Sequence, residues 1–455
     1  MKHNKLFSAI SLFLCLSLTL IPSARADEEF RLQNVSAAVL MDASSGSMLY
    51  ADHCDEPRPV AGLGIMMTAL LTYEAEQRGE VSFSDVVTAD ETLSTGISAD
   101  AVTQGILVGE QLTLEQLLYC ALIGSGCDAC NILAVRVAGN IDDFVARMNS
   151  RAEELGCKNT HFSNTHGLTA AGQYSTAEDM ARIASAFVYC GKLMDITNTI
   201  SYNIPETNLS GVRTLANTNY ILRQDYTRYY YSYASGIKCS YTDASGYCLA
   251  SAVRTDNEYV VSVVLGCELL ESANGYYDIQ SFVQTKKLFE WFFDHYSLRE
   301  VLNPIAPIAE VPVLLAEGTD TVVVCSASGL SLFLPNDIDL GEYYTKHITI
   351  YSEQEGASPI TAPVTRNQVL GELTVTDKTG KSFGPYFLLA NTNVKLSRLE
   401  YIRSQIQLAL HSKAVKIVVI FVAAALVLYF IFFFRYNLIR SKRRRAHRQK
   451  TRSGK

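Results

Sequence analysis

The chain has 455 residues, with 46 Asp and Glu against 39 Lys and Arg, for a formal charge of −7. That value hides a split: residues 27–412 hold all 46 acidic and only 24 basic residues, a formal −22, while the last 21 residues hold ten Lys and Arg and no acid. An acidic body of this kind excludes nucleic acid as its partner, and Cys127-x-x-Cys130 without a second such pair or a His pair leaves no metal pattern, so neither metal nor cofactor is expected.

In chain order, Met1–Ala26 reads as a signal peptide, with Lys2 and Lys5, an apolar Leu6–Leu20, and small residues at Ala24-Arg25-Ala26. An uncleaved anchor is the alternative, and the cleavage pattern argues against it. Val35–Asp42 and Gly46–Tyr50 read as a hairpin around Ala43-Ser44-Ser45. Gly62–Glu76 reads as a helix with a strongly apolar start. Thr113–Ala138 reads as a helical region, capped by Thr113 with Gln116 at the capping-box position. Ile141–Leu155 and Glu178–Tyr189 read as helices, the second capped by Ser175 or Thr176. Ile237–Val253 and Glu258–Leu265 are β-rich runs joined by a turn at Asp256-Asn257, and Ile279–Tyr296 is a helix that closes a first domain.

Beyond Tyr296 the texture changes. Pro304, Pro307 and Pro312 mark a linker or edge strand. Thr321–Cys325, Leu330–Leu334, Ile348–Tyr351 and Leu370–Val375 are short β runs, the pattern of a small all-β domain over residues 297–398. Leu399, Ile402, Ile406 and Leu410 stripe a juxtamembrane helix at 399–413. Ala414–Phe434 is 21 residues with Lys416 as its single charge, enough to span a bilayer. The basic tail at 435–455 would then be cytoplasmic and the ectodomain extracellular. A nucleic-acid patch is the other reading of the tail, and its place directly after a spanning helix argues for topology. The ectodomain of about 385 residues can build two cores without disulfides.

Several strings resemble one family. Leu117–Ala138 (LLYCALIGSGCDACNILAVRVA), Leu155–Leu168 (LGCKNTHFSNTHGL), Tyr174–Ala184 (YSTAEDMARIA), Gly236–Ala252 (GIKCSYTDASGYCLASA) and Ala362–Leu373 (APVTRNQVLGEL) resemble, in order, blocks of the serine D-Ala-D-Ala carboxypeptidases, the low-molecular-weight penicillin-binding proteins. The resemblance implies an α+β fold: a penicillin-binding/β-lactamase-like transpeptidase domain at 27–296, an antiparallel sheet with helices, then the β-domain. It also implies an S-x-x-K serine that attacks the penultimate D-Ala carbonyl, with the lysine one turn on as base. An S-x-N serine and a K-T-G lysine complete the site.

This sequence departs from that set. Anchored on Met67–Leu71, the nucleophile position holds Gly62 and the base position Ile65. The second motif reads Ser125-Gly126-Cys127 and the third Lys238-Cys239-Ser240, so Ser125 and Lys238 alone match. The literal Ser235-x-x-Lys238 falls on an expected strand, whose period of two sets i and i+3 on opposite faces, and reads as coincidence. A thiol nucleophile at Cys127 or Cys239, with Lys238 as base, is a further possibility; His161 and His166 fall in a block that reads as a structural loop. Cys127 and Cys239 both replace pocket residues, so a disulfide across the former site is weighed against two unrelated substitutions. Cys120, Cys130 and Cys248 are expected in the core. The expected function is a non-catalytic homologue that binds peptidoglycan stem peptides or scaffolds cell-wall enzymes; an active carboxypeptidase and a structural surface module are the alternatives.

Overall fold

The computed structural model describes residues 30–99, 101–272 and 275–452. The expected signal peptide lies outside the described residues. The chain packs as two units, one running to Leu298 and taking back Phe333–Asn336, the other holding Arg299–Leu332 and Asp337 onward.

Strand alternation builds the first unit. β1 (Ala37–Asp42) and β2 (Met48–Asp52) form the expected hairpin, and β1 is buried along its whole length because both of its faces are covered. Ala37, Val39 and Met41 face one apolar cluster, Ala38 and Leu40 the other. A 3₁₀ turn at Ala61–Gly64 leads into α1 (Ile65–Gln77), so the helix starts three residues later than its apolar run suggests. Residues Ile65 through Thr72 of α1 are all buried, as befits a helix enclosed on every side.

Short β3 (Val86–Thr88) pairs with β4 (Gln111–Thr113), and α2 (Leu114–Leu122) follows with the expected capping box. The single helical region expected over Thr113–Ala138 is corrected: it breaks after α2, and α3 (Cys127–Ala138) starts anew. Gly124-Ser125-Gly126 makes the break, with Ser125 in the left-handed region at φ 54°. α4 (Ile141–Glu154), α5 (Ala177–Val188, capped by Thr176) and α6 (Gly191–Thr197) come next. β5 (Ser201–Ile204) and β6 (Arg213–Ala216) form a separate hairpin.

The run expected at Ile237–Val253 is two strands, β7 (Ala234–Thr242) and β8 (Gly246–Thr255), and β9 (Glu258–Cys267) follows the Asp256-Asn257 turn. The sheet order is β2-β1-β9-β8-β7, all antiparallel. β10 (Leu269–Glu271) pairs with β11 (Tyr277–Ile279), and α7 (Gln280–His295) packs Phe282, Leu288, Phe289 and Phe292 on the second face of the sheet. The result is a sheet between two helical layers.

In the later part, β12 (Tyr296–Leu302) pairs with β15 (Leu330–Pro335). β13 (Ala309–Pro312), β14 (Thr321–Ser326), β16 (Tyr344–Ile350), β17 (Val369–Asp377) and β18 (Ser382–Ala390) form a sheet in the order β13-β14-β18-β17-β16. Val311, Val322, Val324, Leu373, Val375 and Leu388 are buried within it. α8 (Leu340–Tyr343) is a single turn, α9 is Arg398–His411, and α10 is Lys413–Arg452. Within α10, Val415–Arg444 is long and apolar enough to cross a membrane.

Candidate functional site

Three elements converge on one corner of the first unit: the 3₁₀ turn before α1, the loop between α2 and α3, and strand β7. β7 is bulged between Gly236 and Lys238, because Gly236 pairs with Ser251 and Lys238 with Ala250, leaving Ile237 extra. Lys238 therefore shares a face with Ala250, in the cluster under the helices, and Ser240 shares that face opposite Cys248.

Lys238 is 2% exposed. Its ammonium nitrogen lies 2.5 Å from Ser125 Oγ and donates to the Cys239 carbonyl at 3.1 Å. Burial pulls its amine below the usual lysine range, since removal from water disfavours the charged form. The two residues that match the family pattern are thus brought together.

The loop that presents Ser125 is held from outside. Asp128, buried at the start of α3, accepts from the backbone N–H of Gln104 at 2.9 Å and of Ile106 at 3.1 Å. Gln104 in turn donates its amide to Gly124 O at 2.7 Å, and Cys127 N–H donates to Val102 O at 2.9 Å. A Cβ on Gly126 would come within 2.7 Å of Gln104 Cγ, so the loop needs glycine there. Sequence reasoning missed Gln104 and Asp128; a buried acid in the first turn of a helix was the available signal.

Gly62 has no side chain, and its N–H donates to Ser240 Oγ at 2.8 Å. Ile65 is 1% exposed and packs in the apolar core, where it can neither take nor give a proton. The turn is wedged from the other side by Gly167, whose φ is 80° and whose Cβ would lie 2.3 Å from Ala61 O. Thr68 Oγ1 donates to Thr165 O, and Thr165 Oγ1 donates to Asn131 Oδ1 at 2.6 Å, which ties α1, α3 and the Thr165–Leu168 loop together. His166 is buried in that loop, and His161 lies outside on an exposed position stacked with Tyr174.

The structure bears on three sequence readings and corrects the last of them. Cys127 and Cys239 are both free thiols in this structure, in line with the two unrelated substitutions rather than the disulfide. Lys238 faces the helical core, so its neighbour Cys239 points to the opposite face, beside Thr218 Oγ1 at 3.3 Å and the α7 cluster. At Cys127 burial pushes the thiol up to about 12, which disfavours the thiolate a nucleophile needs. Ser235 and Lys238 share a face, because the bulge at Ile237 shifts the alternation. They are still not a catalytic pair, for Lys238 Nζ is spent on Ser125 and Cys239 O. Cys120, Cys130 and Cys248 are buried as expected, and among the described residues no cluster of His, Cys, Asp and Glu could hold a metal.

Comparison with known proteins agrees with this layout. The D-alanyl-D-alanine carboxypeptidase family model matches residues 25–268. The D-alanyl-D-alanine carboxypeptidase DacF of Bacillus subtilis is 28% identical over 362 residues, 78% of this chain and 86% of that protein. The DacA enzyme of Escherichia coli K12 is 30% identical over 344 residues, 74% of this chain and 77% of that protein. The crystal structure of penicillin binding protein 5 from Haemophilus influenzae matches with a TM-score of 0.61 at 25% identity, over 80% of this chain and 99% of that one. The α+β fold is that of the penicillin-binding proteins.

Proposed function

The chain belongs to the D-alanyl-D-alanine carboxypeptidase family, and from that premise we propose that it serves the cell wall without the family's serine chemistry. In this reading it binds peptidoglycan stem peptides, or scaffolds and regulates the enzymes that process them, from a single membrane anchor. The observation that carries the reading is Gly62: it offers no nucleophile, its N–H is taken by Ser240, and Ile65 stands buried where a base is needed. Loss of a nucleophile removes several orders of magnitude in rate, with binding and oxyanion effects remaining. Labelled penicillin tests this directly. The purified protein is expected to carry no covalent label, and stoichiometric labelling would restore the active carboxypeptidase reading.

The Lys238–Ser125 pair supports the stem-peptide version over scaffolding alone. A peptide's terminal carboxylate is recognised by a charge-assisted contact, and Lys238 supplies the charge. Its burial adds a desolvation cost, so the carboxylate must displace Ser125 Oγ from the ammonium. Calorimetry with a peptide ending in D-Ala-D-Ala is expected to give weak heat that Lys238→Met abolishes. No heat at millimolar peptide leaves the scaffolding role.

A further inference from the structure

The position of Ser240 relative to Gly62 has a consequence that substitution at either residue alone does not reveal. A Cβ built on Gly62 falls 2.8 Å from Ser240 Oγ, 3.4 Å from Ser240 Cβ and 3.5 Å from Ile65 Cδ1. The first distance is shorter than real Cβ contacts allow; the other two are tight but ordinary. The hydroxyl of Ser240 therefore occupies the space in which a side chain at position 62 would begin. The same oxygen accepts the Gly62 N–H at 2.8 Å, at a backbone position that is itself buried.

We infer that Gly62 and Ser240 are a matched pair, in which Ser240 replaces the absent side chain both in volume and in hydrogen bonding and thereby latches the former nucleophile position shut. The inference rests on the non-catalytic reading given above. Its physical content is a coupling. A side chain at 62 must push Ser240 Oγ aside, and a rotated Oγ no longer accepts the Gly62 N–H. That leaves a buried donor unpaired, which is the costly half of a broken hydrogen bond. Removing the hydroxyl incurs the same loss by itself. The two perturbations therefore break one and the same contact, and the second adds little once the first is made. The latch also consumes the backbone N–H at the former nucleophile position, the kind of donor that otherwise stabilises a developing oxyanion. A serine returned to position 62 alone would thus have to displace Ser240 Oγ before its own side chain could be seated.

The test is a double-mutant cycle with the full chain in detergent, using Gly62→Ala, Ser240→Ala and the pair. Alanine at 240 keeps the Cβ whose 3.4 Å contact is tolerable and removes only the hydroxyl. Each single change is expected to lower the melting temperature of the first unit by about 2–4 °C. The double variant is expected to melt within about 1 °C of Ser240→Ala, on the same scale. A double variant that falls by the sum of the singles overturns the matched pair. Hydrogen exchange gives a second measurement that needs no variant at 62: the amide of Gly62 is expected to exchange faster in Ser240→Ala than in the natural chain, and unchanged protection sinks the proposal. Penicillin labelling of the natural chain would remove the non-catalytic reading while leaving the coupling intact, and an additive cycle does the reverse.

Discussion

A buried ionisable side chain records its surroundings in the pH dependence of stability, and His166 does so most clearly here. It is 2% exposed, and burial pushes its imidazole down from 6.5 to about 4. Its Nδ1 accepts the Leu168 N–H at 3.3 Å, which suits the neutral ring. Above pH 6.5 the ring is neutral folded and unfolded, and contributes no pH dependence. Below it, the unfolded chain binds a proton that the folded chain refuses, so stability falls as pH drops towards about 4 and then levels. A shift of this size corresponds to roughly 3 kcal/mol in full. Urea unfolding at pH 6.5 and pH 4.5 is expected to show the natural chain losing about 2 kcal/mol more than His166→Gln over that interval. Carboxylates titrate equally in both proteins and cancel in the difference, so equal losses would mean that His166 is charged, or accessible, in the folded state. Lys238 shifts in the same sense, its amine lowered by burial.

Several elements governed by local chemistry were legible in the sequence, though not every local signal was read. The capping box at Thr113 and Gln116 forms as its residues require, with bonds of 2.8 and 3.2 Å. Asp256 and Asn257 adopt φ of 50° and 69°, the left-handed pair that a tight hairpin demands. The break between α2 and α3 was missed although Gly124-Ser125-Gly126 marks it locally; Gln104 and Asp128 then clamp the Ser125 loop across some twenty residues of chain. The turn at Asp243–Gly246 was missed although its residues announce it. The bulge at Ile237 has no local signal, and it reversed the argument about Ser235. In the site, Gly62, Ile65, Ser125 and Lys238 were found from motif position, and the structure gathers Ser125 with Lys238 and Gly62 with Ser240. Placing Cys239 in the pocket ignored the strand's own period, since a residue beside an inward Lys238 must face out.

At the scale of the whole molecule, one candidate membrane span carries the proposed location of the rest. α10 runs for 40 residues, about 60 Å at 1.5 Å per residue, while a hydrocarbon core of about 30 Å needs roughly 20. Its apolar half ends near Phe434, and Arg435, Arg440, Lys442, Arg443 and Arg444 follow on the same helix. Large side chains such as Phe421 and Phe432 are 72% and 67% exposed, a surface that water would penalise and lipid would not. Lys416 sits one turn inside the other end, close enough to reach the interface by its stem. Charge then selects the orientation: a basic cluster within 15–20 residues of the span stays on the cytoplasmic side. We propose on this basis that the acidic part of the chain, and with it the Gly62–Ser240 corner, lies on the wall side. The orientation is open to measurement in cells with a maleimide that does not cross membranes, since the native thiols of the described residues are buried or half-buried. Gln407→Cys on α9 is expected to label in intact cells, and Ser441→Cys only after permeabilisation. The opposite pattern would place the carboxypeptidase-like unit in the cytoplasm, away from any peptidoglycan, and would end the cell-wall role whatever the pocket can bind.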